Sequence, residues 1–103
     1  MGAGMLEREW QAIVVDAATR LGWRYYHTVN AKRSRPGFPD LVLVRERVVF
    51  AELKRQDGKL KPEQEQWLEA LRHAGAEVHV WRPSDYQHHV LRVLAKRDAR
   101  SAT

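Results

Sequence analysis

The stretch of sequence that decides the fold is GFPDLVLVRERVVFAELK, residues 37–54. It contains two apolar runs joined by a polar turn centred on Glu46, a pattern that predicts a β-hairpin. Paired positions of an antiparallel hairpin sum to a constant, so Asp40 is expected opposite Glu52, with Cβ atoms roughly 5 Å apart. Lys54 follows Glu52 by two residues and therefore points to the same face of the strand. Two carboxylates that repel each other beside a lysine favour a divalent cation between them.

The composition indicates a small globular protein with an anionic partner. The 103 residues fit one domain, for which we take residues 1–103, with 1–5 and 99–103 as flexible ends. Lys and Arg outnumber Asp and Glu by 18 to 13, and the net charge of +5 favours a partner such as nucleic acid. Cysteine is absent, which excludes disulfides and thiolate chemistry. No apolar run approaches the ~20 residues of a membrane span, so we expect no membrane association and a cytoplasmic location.

Helical and strand patterns alternate along the rest of the chain. Apolar residues recur at helical spacing over residues 6–21, and residues 23–29 are rich in aromatic and β-branched side chains, which predicts a strand. A second helix is expected over residues 62–75, a last strand over 77–81, and a final helix from a Ser84 cap to about Arg97. The order αβββαβα, with a hairpin that is apolar on both faces, predicts an α/β fold in which helices cover both faces of a central mixed sheet.

The residue types at Asp40, Glu52 and Lys54 fit metal-assisted phosphodiester hydrolysis. Mg²⁺ at phosphate chemistry is usually held by one or two carboxylates, and it polarises the phosphoryl oxygen and lowers the pKa of a bound water. A nearby lysine orients or deprotonates that water, or neutralises charge on the phosphate. In the alternative interpretation, Asp40 caps a turn while Glu52 and Lys54 form a charged pair on an exposed edge strand. The chemistry alone leaves both interpretations open.

Motifs spread along most of the chain resemble a known nuclease family. Pro39-Asp40 and Glu52-x-Lys54 are similar to the signature of the PD-(D/E)xK superfamily. A longer match resembles its VRR-NUC subgroup, which comprises stand-alone bacterial and phage nucleases and the nuclease modules of some larger repair proteins. That match is carried by Glu7-x-x-Trp10-Gln11, Gly22-Trp23, Gly37-Phe38-Pro39-Asp40-Leu41, Phe50-Ala51-Glu52-Leu53-Lys54, Gln64-x-x-Trp67-Leu68 and Gly75-x-x-Val78.

The resemblance implies a restriction-endonuclease-like αβββαβ core with an additional C-terminal helix, and a DNA endonuclease that depends on Mg²⁺ or Mn²⁺. Asp40 and Glu52 would be metal ligands, and the backbone carbonyl of Leu53 would be a further ligand. Lys54 would position the attacking water or act as its general base. Glu7 would bind the metal directly or through water.

Gln64 matches the glutamine that this family carries on the helix after the E-x-K strand. It shares a helical stripe with Trp67 and Leu68, and an amide on a core-facing stripe needs a partner, which the site would supply. The alternative is an amide in the first helical turn that faces water.

Basic residues flank the predicted site in sequence. Those in the loop before Asp40 and in the turn after Lys54 are expected to contact DNA phosphates, with a solvated loop as the alternative. They are Lys32, Arg33, Arg35, Arg55, Lys59 and Lys61. Of the other notable side chains, the four tryptophans are expected in the core, and His27, His88 and His89 are expected to be structural or exposed.

The substrate expected from the resemblance is branched DNA. Stand-alone relatives resemble junction resolvases, so Holliday junctions and a role in DNA repair are predicted, and a homodimer with two sites would suit paired incisions. The chain offers no recognition module, which argues against sequence-specific cutting. The alternative function is a non-catalytic DNA-binding module on the same fold; the intact set of Asp40, Glu52 and Lys54 argues against it.

Overall fold

A mixed four-stranded sheet with helices packed on it forms the architecture of the computed structural model, which describes residues 4–29 and 34–97. The predicted order of elements is confirmed. A 3₁₀ turn (Pro83–Asp85) and a π-helical turn (Tyr86–Val90) precede the last α-helix. The helices and strands are α1 Glu7–Arg20, β1 Arg24–His27, β2 Leu41–Val44, β3 Val48–Leu53, α2 Pro62–His73, β4 Glu77–Trp81 and α3 Leu91–Ala95.

The strands lie in the order β1-β2-β3-β4, with β1, β2 and β3 antiparallel and β4 parallel to β3. Val44 pairs with Val48 and Leu41 with Ala51, so the hairpin turn is centred on Glu46 as predicted. Because β3 has a neighbour on each side, it is a central strand. The interpretation of Glu52 and Lys54 as a pair on an exposed edge strand is therefore wrong.

The main core lies between the sheet and helices α1 and α3. Trp10, Trp23 and Trp81 are buried in it, as predicted, whereas the fourth tryptophan, Trp67, is half-buried on α2. The alternating side chains that β2 and β3 contribute to this core are Leu41, Leu43, Val49, Ala51 and Leu53.

The other face of the hairpin is covered over only part of its length. Phe50 packs edge to face on Phe38, and Phe38 packs in the same way on Trp67 of α2. Near the turn, Val44 is 39% and Val48 is 45% exposed. The prediction that both faces of the hairpin are covered is therefore wrong at the turn, because the aromatic packing below α2 lies toward the other end of the strands.

The expected role of Ser84 is also wrong. The Ser84 backbone N–H donates to the side-chain oxygen of Gln56 at 2.9 Å. The Ser84 hydroxyl oxygen accepts the side-chain N–H of Gln56, also at 2.9 Å. The segment after β4 begins instead as a 3₁₀ turn, in which the Arg82 N–H donates to the Asp85 carboxylate at 2.8 Å. Among the described residues, no helix has the length and apolar composition that crossing a bilayer would require.

The polar turn of the hairpin fastens the helices to the sheet. The Arg45 guanidinium donates to the carbonyl oxygens of Leu21 (2.9 Å) and Lys96 (2.7 Å). The Arg47 guanidinium donates to the same Lys96 oxygen and to the carbonyl of Val93 at 2.8 Å. These carbonyls lie at the C-terminal ends of α1 and α3, where backbone acceptors lack intrahelical partners.

Candidate active site

Two charged side chains of β3 are buried at the end of the strand farthest from the hairpin turn. Glu52 is 1% exposed and Lys54, just beyond the strand, is 8% exposed. The Lys54 Nζ lies 3.9 Å from Oε2 of Glu52. Charged groups are rarely buried unless they are paired or serve a function, so this end of β3 is the strongest candidate for a site.

Asp40 is held beside this pair by the neighbouring strands. Its Oδ2 accepts the backbone N–H of Leu53 at 2.8 Å, a bond between the start of β2 and the end of β3. On the other side, the Thr28 N–H donates to the Asp40 carbonyl at 2.9 Å and the Thr28 hydroxyl donates to the Pro39 carbonyl at 2.7 Å. The carboxyl group is therefore fixed through both its side chain and its backbone.

Gln64 links α2 to the buried glutamate. Its Nε2 donates to Oε2 of Glu52 at 3.0 Å, and its Oε1 accepts the backbone N–H of Lys61 at 2.8 Å. The amide thus stabilises the first turn of α2, where Lys61 supplies no side-chain cap, and satisfies one carboxylate oxygen. The interpretation of Gln64 as an amide facing water is wrong.

The electrostatics of the carboxyl pair favour a bound proton or a bound cation. Burial raises the pKa of Glu52 to about 8, with the nearby Asp40 charge as the next contribution and Lys54 opposing it. Burial also raises the pKa of Asp40, and the Leu53 N–H opposes that shift. Two acids this close and this buried resist carrying two charges without a compensating positive charge.

The chemistry of the carboxyl pair is compatible with a divalent cation. Oε1 of Glu52 is buried and accepts no hydrogen bond from a donor of the described residues. The Asp40 and Glu52 carboxyls can bond to each other only when one of them is protonated. An orphan buried acceptor is costly, and carboxylate oxygen is the ligand that Mg²⁺ and Mn²⁺ prefer. Within residues 4–29 and 34–97, no three His, Asp or Glu side chains are close enough to hold an ion together. Asp40 and Glu52 would therefore be completed by backbone, water or phosphate oxygens.

Glu7 lies near this pair without joining it. It is the exposed first residue of α1, and its charge contributes weakly to raising the pKa of Glu52. The helix is fastened here because the Trp10 indole N–H donates to the Trp81 carbonyl at 2.9 Å. Contact of Glu7 with a metal stays a prediction, as does the ligand role of the Leu53 carbonyl.

The predicted DNA-binding residues that the structure describes are exposed. They are Arg35, Arg55, Lys59 and Lys61, whereas Lys32 and Arg33 lie outside the described residues. Arg55, Lys59 and Lys61 flank the turn after β3. This turn is held in place because the Arg82 guanidinium donates to the Gly58 carbonyl at 2.7 Å. Their contact with phosphates stays a prediction.

Two residues near the site have contacts that were not predicted from the sequence. Thr28 binds the backbone of Pro39 and Asp40, and pairing the predicted first strand with the hairpin would have placed it there. Gly37 lies against the first turn of α2, and no sequence pattern signals that contact. His27 is exposed as expected, and its charge weakly lowers the pKa of Asp40.

Comparison with known proteins finds similarity to VRR-NUC domains in both sequence and fold. The model of the VRR-NUC domain family matches residues 6–85. A solved structure described as a VRR-NUC domain protein superposes with a TM-score of 0.72 at 23% identity, over 88% of this chain and 86% of its own. A second, described as a VRR-NUC domain, has a TM-score of 0.64 at 25% identity, over 85% of this chain and 88% of its own. No curated protein matches.

Proposed function

This chain belongs to the VRR-NUC family of nuclease-type DNA-processing modules, and from that premise we propose that it is a Mg²⁺- or Mn²⁺-dependent DNA endonuclease. One observation carries the proposal: Asp40, Glu52 and Lys54 converge at a buried strand end where one carboxylate oxygen accepts no hydrogen bond from a donor of the described residues. A purely structural site would gain stability by satisfying or replacing that oxygen.

Each side chain has a distinct part in the proposed reaction. A divalent cation bound by Asp40 and Glu52 would polarise the phosphoryl oxygen and acidify its bound water. Asp40 is oriented for this by the Leu53 N–H, and Glu52 by the Gln64 amide. The Lys54 ammonium, beside Glu52, orients the attacking water and offsets charge that develops on the phosphate.

We further propose that the enzyme selects branched DNA by shape. The exposed basic side chains of the turn after β3, Lys59 and Lys61 among them, suit contacts to phosphates, which carry no direct sequence information. A homodimer would place two such sites on one junction. The exposed side chains of the edge strand β1, Tyr25 and Tyr26, are a surface that a second copy would cover.

The experiment that tests this function uses three DNA substrates and two metals. Supercoiled plasmid, a flap and a four-way junction are incubated with the protein in Mg²⁺, in Mn²⁺ and in EDTA, beside the Asp40→Ala and Lys54→Ala variants. We expect metal-dependent cutting of the junction that both variants lose. If the wild-type protein cuts none of the substrates with either metal, the proposed nuclease activity is refuted. Binding of DNA without cutting would favour the non-catalytic DNA-binding module.

The oligomeric state is tested separately by light scattering with and without junction DNA. We expect a dimer that is retained on DNA. A monomer in both conditions would contradict the paired-site arrangement and leave the chemistry of a single site intact.

A further inference from the structure

Gly37 occupies a space that no other residue type would fit. Its backbone has a φ of +96°, and a Cβ atom built there would lie 2.6 Å from the carbonyl carbon and oxygen of Glu63 and 2.9 Å from the backbone nitrogen of Gln64. Separations below 3.0 Å are closer than real Cβ contacts. The opposing atoms are backbone, so they cannot rotate aside, and any side chain at this position would push away the first turn of α2.

The turn that Gly37 contacts is the one that holds the site together. Gln64 lies in it and joins the Lys61 N–H to Oε2 of Glu52, with bonds of 2.8 and 3.0 Å. Asp40 follows Gly37 by three residues and is tied to β3 through Leu53. The separation between these two segments is therefore set by contact of backbone with backbone.

We propose that Gly37 is a positioning residue of the active site, because its missing side chain lets α2 approach closely enough for Gln64 to reach Glu52. The effect on cleavage rests on the proposed nuclease function. The effect on the Gln64–Glu52 contact does not, because that contact lies within the protein and is measured without DNA or metal.

Gly75 offers a matched control on the same helix. It follows the C-terminal end of α2 with a φ of +90°, and a Cβ built on it meets nothing within 4 Å. Alanine at either position carries the penalty of a left-handed backbone. Only alanine at position 37 adds a collision, so the difference between the two variants isolates the close approach.

The first measurement compares cleavage by Gly37→Ala, Gly37→Asn and Gly75→Ala, each shown to be folded by cooperative unfolding. We expect Gly37→Ala to cut about 100-fold more slowly than the wild type and Gly75→Ala to stay within about threefold, since small misplacements of a catalytic group have effects of that size. Asn tolerates the left-handed conformation but still has a Cβ, so we expect the same loss from Gly37→Asn.

The second measurement follows the side-chain amide of Gln64 by NMR in the metal-free protein. We expect its resonances to move toward those of a solvated glutamine in Gly37→Ala and to stay in place in Gly75→Ala. This result distinguishes the two proposals: a wild type that cuts no DNA refutes the nuclease, while the amide signal still decides the role of Gly37.

Three outcomes would overturn the assignment. The first is a Gly37→Ala protein with an unchanged amide signal. The second is recovery of cleavage in Gly37→Asn, which would make backbone strain rather than the collision responsible. The third is failure of both Gly37 variants to fold while Gly75→Ala folds, which would make Gly37 a residue of the fold and not of the site.

Discussion

The indole N–H of Trp10 donates to the carbonyl oxygen of Trp81 at 2.9 Å, joining the first helix to the last strand. The same oxygen accepts the backbone N–H of Lys54 at 3.0 Å. Glu7 lies one turn before Trp10 on α1. One carbonyl therefore fixes the start of the helix against the strand end that carries the candidate metal ligands.

Replacing Trp10 with Phe removes this bond and should weaken both stability and cleavage. We expect a loss of about 2 kcal/mol in the free energy of unfolding, from one buried hydrogen bond and a smaller ring, and a slower cutting rate because α1 is less firmly held beside the site. Urea unfolding and single-turnover cleavage measure the two effects.

Trp23→Phe is the matched control. The Trp23 indole donates to the Leu94 carbonyl, also at 2.9 Å, on the side of the core below the hairpin turn. We expect a similar loss of stability with unchanged cleavage once the protein is folded. Equal loss of cleavage in both variants would mean that the Trp10–Trp81 bond has no specific part in the site.

Lys54→Ala should abolish cutting while the fold and most DNA binding remain. The ammonium lies 3.9 Å from Glu52, and removing a group that handles the attacking water typically costs about 100-fold or more in rate. Cleavage of a junction, binding in Ca²⁺ and thermal unfolding separate the three properties. Lys96→Ala, at the opposite end of the sheet, serves as the control and should cut normally. Cutting that survives Lys54→Ala would point to another site or a contaminant.

Glu52→Gln should stabilise the metal-free protein at pH 8. The folded pKa of Glu52 is about 8 against an ordinary 4.5, so the folded state binds the extra proton. Its contribution to stability is complete below pH 4.5 and is lost as the pH rises through about 8. At pH 8 the neutral amide avoids that loss, and we expect a gain of about 2–4 kcal/mol together with loss of cleavage.

Glu77→Gln provides a control of opposite sign. Burial alone would raise the pKa of Glu77, but the hydrogen bonds with Arg47 and His79 outweigh it and lower that pKa. The contribution of Glu77 is therefore present above pH 4.5, and Glu77→Gln should destabilise the protein at pH 8. Urea unfolding in EDTA at pH 5 and pH 8 tests both variants. A Glu52→Gln protein less stable than wild type at pH 8 would contradict the electrostatic account.

Removing Lys59 and Lys61 together should reduce DNA affinity without changing the cleavage step. Each phosphate contact releases counterions, so the slope of log K against log salt should become shallower by about 2 for the double alanine variant. Fluorescence anisotropy with a catalytically inactive background measures the slope. Arg72→Ala, an exposed charge at the other end of α2, should leave it unchanged. Identical slopes for all proteins would remove this turn from the DNA interface.

The hairpin register was predictable because it follows from two apolar runs and a short turn. The rule that paired positions sum to a constant, which predicted Asp40 opposite Glu52, is obeyed along the strands, where Leu41 pairs with Ala51. Asp40 and Glu52 lie close together as that predicts, since the Asp40 charge raises the pKa of Glu52 and a hydrogen bond with Glu52 lowers the pKa of Asp40. Local patterns suffice when the interacting residues are joined by a short connection of fixed geometry.

Features that depend on distant segments were not predictable. Serine is a favoured residue type at helix N-caps, but the hydroxyl and the backbone N–H of Ser84 bond the side chain of Gln56, which lies in a loop 28 positions earlier. The exposure of Val44 and Val48 depends on how far the aromatic packing below α2 extends along the strands. The spacing of apolar residues in the sequence does not specify that distance. The close approach of Gly37 to the first turn of α2 is likewise a distance between two backbone segments. Sequence patterns describe side chains, so they do not predict it.

The polar turn of the hairpin, which carries Arg45 and Arg47, also affects the order in which parts of the chain can fold. Arg45 and Arg47 need acceptors on the last helix, which lie 46 to 51 positions later in the chain. A nascent chain that has not yet produced residues 93–96 forms the hairpin by local pairing but leaves both guanidinium groups without these acceptors. We therefore expect the complete fold to form during translation only after synthesis of α3, a helix that contributes none of the proposed site residues.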